Sequence, residues 1–263
     1  MHASFDFTDA RVMVFGGTSG INLGIAQGFA AAGATVAVIG RKQEKLDAAV
    51  ATLGERGHGY ALDVRGYDAV EAACKSFAGA TGGIDVLISG AAGNFPAPAI
   101  GMSPNAFKSV VDIDLLGTYH VMRAAFPYLT KPGASVISIT APQAQVAMPF
   151  QSHVCSAKAG IDMLTKTLAC EWGPAGIRVN AISPGPIADT EGMDRLAPTE
   201  GARKLVRKSV PLQRDGQAAE VGQACMWLSS DAAAYVSGVI LPVDGGWLAA
   251  GVPLDLTALA SAK

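Results

Sequence analysis

The chain is poor in several things that would have named a function class. Its 263 residues include only 4 cysteines, 4 histidines and 6% aromatics. Cys74, Cys155, Cys170 and Cys225 are widely spaced and form no CxxC pair. That pattern supplies no zinc ligand set and no disulfide frame, so reduced structural thiols of an intracellular protein are expected, and no metal. The formal net charge is −2. No block of like charge is long enough to attract nucleic acid or a membrane surface. No apolar run reaches the roughly 18 residues that a membrane span needs. The opening "MHASFDFTDARV" has no basic stretch followed by an apolar core, so no secretory signal is expected and a cytoplasmic location is.

What the chain does have is apolar mass, 50% of the residues, and 31 glycines. That is enough to bury a sizeable core. Short β-branched runs alternate with longer helical patterns. The expected strands are 11–15, 35–39, 59–64, 84–89, 134–140, 177–183 and 239–244. The expected helices are 23–32, 42–54, 67–80, 104–129, 151–172 and 217–229, with Ser103-Pro104 as a capped helix start. Strands apolar on both faces suit a parallel sheet covered by helices on each side. The alternation predicts an α/β fold, a doubly wound, Rossmann-like sheet in a single domain over 1–263, with ligands at the carboxyl ends of the strands. Residues 186–216 read as a substrate lid carrying one short helix near 201–209, or as a solvated excursion, and 249–263 as a C-terminal tail.

The first strand runs directly into "FGGTSGINLGIA" (15–26). Gly16, Gly17, Gly20 and Gly24 flank a helix start, where backbone N–H groups can approach a diphosphate. Strand, turn and helix in that order favour a nucleotide site. The second strand ends in Gly40, Arg41 and Lys42, with no acid at the position that would hold a ribose 2′-hydroxyl. A guanidinium there favours a 2′-phosphate, hence NADPH. The alternative is a pair of surface cations opening a helix. In "LDV", Asp63 and Val64 could border an adenine, or Asp63 could cap a loop.

Taken together, these stretches resemble the short-chain dehydrogenase/reductase family over about residues 8–248. The resemblance is carried by "GGTSGI" (16–21), "LDV" (62–64), "AAG" (91–93), "DIDLLGTYHV" (112–121), the run 156–187 and "VDGGW" (243–247). It implies a seven-stranded sheet, NAD(P) chemistry and a homotetramer. It further implies cofactor contacts from Gly16, Thr18, Ser19, Gly20 and Ile21, from Arg41, Lys42, Asp63 and Val64, from Ala91, Ala92 and Gly93, and from Lys158, Pro184, Gly185 and Ile187.

The family's catalytic Asn, Ser, Tyr and Lys fall here on Asp114, Ala141, Val154 and Lys158. No tyrosine lies between Tyr128 and Tyr235, so no shift of register supplies the phenol. The family's third glycine falls on Asn22, which tolerates left-handed backbone better than most residues. Carbonyl reduction needs an acid for the forming alkoxide, and valine is none.

Within the family the chain is most similar to the peroxisomal-type 2,4-dienoyl-CoA reductase branch. The matching stretches include "AAGNFPAPA" (91–99), "ITA" (139–141), "EWGP" (171–174) and "PGPIADTEGM" (184–193). That branch lacks the tyrosine and carries Asp at the place of Asp114. The resemblance implies an acyl-thioester substrate, a CoA ester, reduced by hydride addition to a conjugated system. Lys158 would hold the nicotinamide ribose and find its polar partner only there. Asp114 would hold the proton-donating water, or bond to a nearby backbone kink. Asn94 and Gln151 are candidate donors to the thioester oxygen. His153 reads as a capping or surface residue, and Cys155 as packing. Arg195, Arg203, Lys204, Arg207, Lys208 and Arg214 form either a solvated face or a basic rim for coenzyme A phosphates. A carbonyl reductase and a catalytically silent NADP(H)-binding protein are the alternatives.

Overall fold

A computed structural model describes residues 4–252. Seven parallel strands form one sheet in the order β3-β2-β1-β4-β5-β6-β7. They are β1 (Arg11–Phe15), β2 (Thr35–Gly40), β3 (Gly57–Ala61), β4 (Val86–Ser89), β5 (Ser135–Ile139), β6 (Arg178–Pro184) and β7 (Ile240–Val243). The helices are α1 (Gly20–Ala31), α2 (Gln43–Ala51), α3 (Tyr67–Thr81), α4 (Pro104–Val111), α5 (Gly117–Ala125), α6 (Ser152–Trp172), α7 (Glu191–Leu196), α8 (Glu200–Ser209) and α9 (Ala218–Ser229). The strand order reverses between β1 and β4, which opens a crevice at their carboxyl ends.

Alternation along β1 explains the two-sided core. Val12 and Val14 face Ile25 and Phe29 of α1 and Val221 and Cys225 of α9. Met13 and Phe15 face Phe77 of α3, Met122 of α5 and Leu168 of α6. Period-two side chains apolar on both sides demand helices on both faces. On the first face α1 and α9 nearly touch: a Cβ at Gly24 would lie 2.6 Å from the Ala218 Cβ. A third, smaller apolar cluster joins Met148, Met193, Ala197, Ala202, Val206 and Trp247 beneath the lid.

Three expected elements differ, each for a local reason. The third strand stops at Ala61, because the Asp63 carboxylate accepts from Arg65 N and the Arg65 guanidinium and so builds a turn. The helix expected over 104–129 starts as predicted, with Ser103 Oγ accepting from Ala106 N at 3.2 Å. It then widens into a π turn at Asp112–Leu116 and tightens into 3-10 geometry at Phe126–Tyr128, beside Pro127. The lid carries two helices instead of one, capped by Thr190 and Thr199 and separated by Pro198. Of the expected tail, 253–263 lies outside the described residues.

Candidate active site

The turn after β1 is built from close approaches. Gly16 N and Gly17 N both donate to Ile39 O. Gly16 has φ +79°, and a Cβ there would sit 2.8 Å from Ala91 N. The left-handed residues are Gly16 and Gly20, where α1 begins. Asn22 does not take that conformation: it is helical, in the first turn of α1, and its Nδ2 donates to Gly90 O at 2.8 Å. Its side chain thereby ties the turn to the loop after β4.

Thr18, Ser19, Arg41, Lys42, Asp63, Val64, Ala91, Ala92 and Gly93 line one cavity of about 420 Å³. Asp63, from the segment after β3, reaches within 3.9 Å of the exposed Arg41 guanidinium. Its hydrogen bonds to Arg65 hold its carboxyl below the usual carboxylate range. Of its two sequence readings, the turn cap is what the geometry shows, and Asp63 also lines this cavity.

An adjoining cavity of about 300 Å³ is lined by Ser19, Gly20, Ile21, Ala92, Gly93, Asn94, Asp114, Gln151, Lys158, Pro184, Gly185 and Ile187, among others. The sequence-predicted site residues thus divide between two neighbouring cavities. At Gly185 a Cβ would meet Asp244 Cα at 2.7 Å, so the loop after β6 needs glycine.

Asp114 sits in the π turn and is fully buried. Its Oδ1 accepts from Gly93 N at 2.7 Å, and its Oδ2 lies 3.3 Å from Lys158 Nζ. Burial pushes the Asp114 carboxyl above the usual range, while Lys158 and the Gly93 amide oppose that shift. Lys158 is 6% exposed, and its Nζ also donates to Ile139 O at 3.1 Å. The expectation that the lysine lacks a polar partner without cofactor is therefore wrong: α6 lays its ammonium against the wide turn, a tertiary contact that neither helix announces. Val154 and Ala141 line the same cavity and supply no proton. Gln151 is 1% exposed and donates to Asn94 Oδ1.

His153 is not a surface or capping residue. It is wholly buried, with its ring 4.4 Å from that of Phe95. Desolvation lowers its pKa, against the pull of the Phe95 backbone and the Asp114 carboxylate. Cys155 packs at the edge of the cluster under the lid, as expected, whereas Cys170 is exposed and not a core thiol. The lid arginines do not form a bare basic rim. Arg195, Arg203, Arg207 and Arg214 pair with Glu191, Asp194, Glu200 and Glu220 respectively.

Sequence reasoning missed one lining residue, Gln143, and one contact, that of Arg195 with Asn94. Gln143 stands two residues beyond Ala141 in the loop after β5 and lines the cavity. An amide beside an assigned catalytic position was the available signal. Arg195 bonds to the Asn94 carbonyl oxygen, fastening α7 over the loop after β4.

A family model described as enoyl-(acyl carrier protein) reductase matches residues 16–248. The chain belongs to the short-chain dehydrogenase/reductase family. It is an oxidoreductase of that family, which uses a nicotinamide cofactor. Among curated relatives it is similar to the peroxisomal 2,4-dienoyl-CoA reductase [(3E)-enoyl-CoA-producing] of Saccharomyces cerevisiae. That match is 42% identical over 81% of this chain and 75% of the relative. The Arabidopsis thaliana enzyme of the same description is 41% identical over 90% and 84% respectively. A crystal structure of a short chain dehydrogenase from Bacillus anthracis is 37% identical and superposes with a TM-score of 0.83, covering 91% of this chain and 96% of that one. The two adjoining cavities have room for the family's dinucleotide: Gly16 and Thr18 of the turn line one, Gly20 at the start of α1 lines the other, and Ser19 lines both.

Proposed function

We propose that the protein reduces a 2,4-dienoyl-CoA, or a related enoyl thioester, with NADPH. The observation that carries this reading is the buried Asp114–Lys158 pair in a cavity where Val154 and Ala141 replace any phenol or hydroxyl. The names of the relatives support it. Arg41, exposed at the end of β2, supports the 2′-phosphate.

The bound nicotinamide supplies the hydride. This chain's residues do the rest. Lys158 has three N–H donors, and two face Ile139 O and Asp114, so one remains for a ribose hydroxyl. Asp114 Oδ2 has no hydrogen bond of full geometry and would accept one from a water in the cavity. Asn94 would donate to the thioester oxygen. When hydride reaches the far carbon of a conjugated thioester, charge spreads through a dienolate to that oxygen. Protonation follows at carbon, so a held water and an oxyanion donor suffice where a ketone would need a phenol.

The test is NADPH absorbance followed with a panel of dienoyl-, enoyl- and 3-oxoacyl-CoAs. Turnover with the dienoyl ester is expected. Turnover only with 3-oxo esters sinks the reading, and cofactor binding without hydride loss to any acceptor marks a silent binding protein.

A further inference from the structure

Three side-chain amides meet in the wall of the smaller cavity. Gln143 Nε2 donates to Gln151 Oε1 at 3.0 Å, and Gln151 Nε2 donates to Asn94 Oδ1 at 3.3 Å. An amide has a donor end and an acceptor end, so such a chain can run in either direction with the same number of bonds. The two directions are not equivalent for a ligand. In one, Asn94 shows its Nδ2 hydrogens to the cavity. In the other it shows Oδ1, which repels a carbonyl oxygen.

Met148 removes the ambiguity. Its Sδ lies 3.6 Å from Gln143 Nε2, and the residue is 6% exposed. A thioether sulfur accepts weakly and donates nothing, so the nitrogen end of Gln143 belongs beside it. That same nitrogen faces Gln151 Oε1. Buried Gln151 cannot exchange its partners for bulk water, so its Nε2 is committed to Asn94 Oδ1. Asn94 Nδ2 is then the last donor, with no partner among the described residues. Arg195 fixes the Asn94 backbone from the lid side.

We propose that Met148, Gln143 and Gln151 form a directional amide relay that turns the donor end of Asn94 toward the substrate's thioester carbonyl oxygen. The relay rests on the thioester reading above. Gln143 and Gln151 are positioning residues, and Met148 sets the polarity of the whole chain. A donor fixed in advance costs no reorganisation when charge develops on the oxygen.

Gln143→Glu tests this from a distance. The change is isosteric, but the carboxylate only accepts. Gln151 must then present Nε2 to it, Asn94 must present Nδ2 to Gln151, and Oδ1 turns to the cavity. With dienoyl-CoA, kcat is expected to fall about 100-fold, the scale of losing one oxyanion donor. NADPH affinity is expected to stay unchanged. Calorimetry should show weaker binding of a saturated acyl-CoA but unchanged binding of an S-alkyl-CoA thioether, which lacks the carbonyl oxygen. The Gln143→Glu/Gln151→Met double variant cuts the link to Asn94 and is expected to recover turnover relative to Gln143→Glu, which a through-space charge effect would not allow. Met148→Leu carries the test if the carboxylate prevents folding: the preference for thioester over thioether should drop severalfold. Unchanged thioester binding and turnover, no recovery in the double variant, or an unchanged preference in Met148→Leu overturns the relay while wild-type dienoyl-CoA activity leaves the thioester reading standing. A wild type that neither binds acyl-CoA nor reduces any thioester overturns both.

Discussion

Asp114 and Lys158 are the pair around which the cavity is organised, and both are nearly out of contact with solvent. Asp114→Asn keeps an oxygen for the Gly93 N–H, but it removes the charge and puts an amide N–H donor where Oδ2 now faces Lys158 and would accept from the water. Under the proposed mechanism kcat should fall about 10²–10⁴-fold, the usual scale of lost acid–base assistance, with NADPH affinity spared in a fluorescence titration. Unchanged turnover would remove Asp114 from the mechanism. A second buried acid on α6, Asp162, is 7% exposed and has one oxygen without a hydrogen-bond partner. Desolvation raises its pKa, so folding favours its protonated form. The stability it contributes is present below its unfolded pKa and lost as pH rises through the raised folded value. Asp162→Asn should therefore stabilise the protein at neutral pH by about 1 kcal/mol and leave little gain in acid, as thermal melts across pH would show.

The elements place these residues by contacts that are tight in particular spots. The π turn at Asp112–Leu116 carries Asp114 to the Gly93 amide, and the regular pattern over 104–129 gave no sign of it. On the opposite face of the sheet, α1 can lie against α9 only because Gly24 has no side chain. Gly24→Ala should force the helices apart and destabilise the fold by about 1–3 kcal/mol, the scale of overpacking, even though alanine is the better helix former. A rise in melting temperature would show that the contact yields easily. The lid helices are held by ion pairs among their own residues and by the small cluster around Trp247.

At the scale of the whole molecule, the site lies where the strand order turns about, and its two cavities draw on segments far apart in sequence. Arg41 follows β2 and Asp63 follows β3, yet they meet at 3.9 Å because those strands are neighbours. Arg41→Asp should weaken NADPH at least about tenfold more than NADH, since it replaces the phosphate's partner with a repelling charge. Equal weakening of the two would refute the phosphate assignment. Asp63 already tempers the guanidinium, so Asp63→Ala should not reduce the preference for NADPH.

The strand and helix order, the glycine turn after β1 and the missing phenol at Val154 were all legible in the sequence. Each is written in neighbouring residues, as period, turn chemistry or residue type. The partners of Lys158, the burial of His153, the approach of Asp63 to Arg41 and the polarity of the amides around Asn94 were not. Those depend on which side chains from separate strands and helices arrive at one place, and on which of them water can still reach. Hydrogen-bond direction and desolvation are properties of that meeting, so only the tertiary structure decided them.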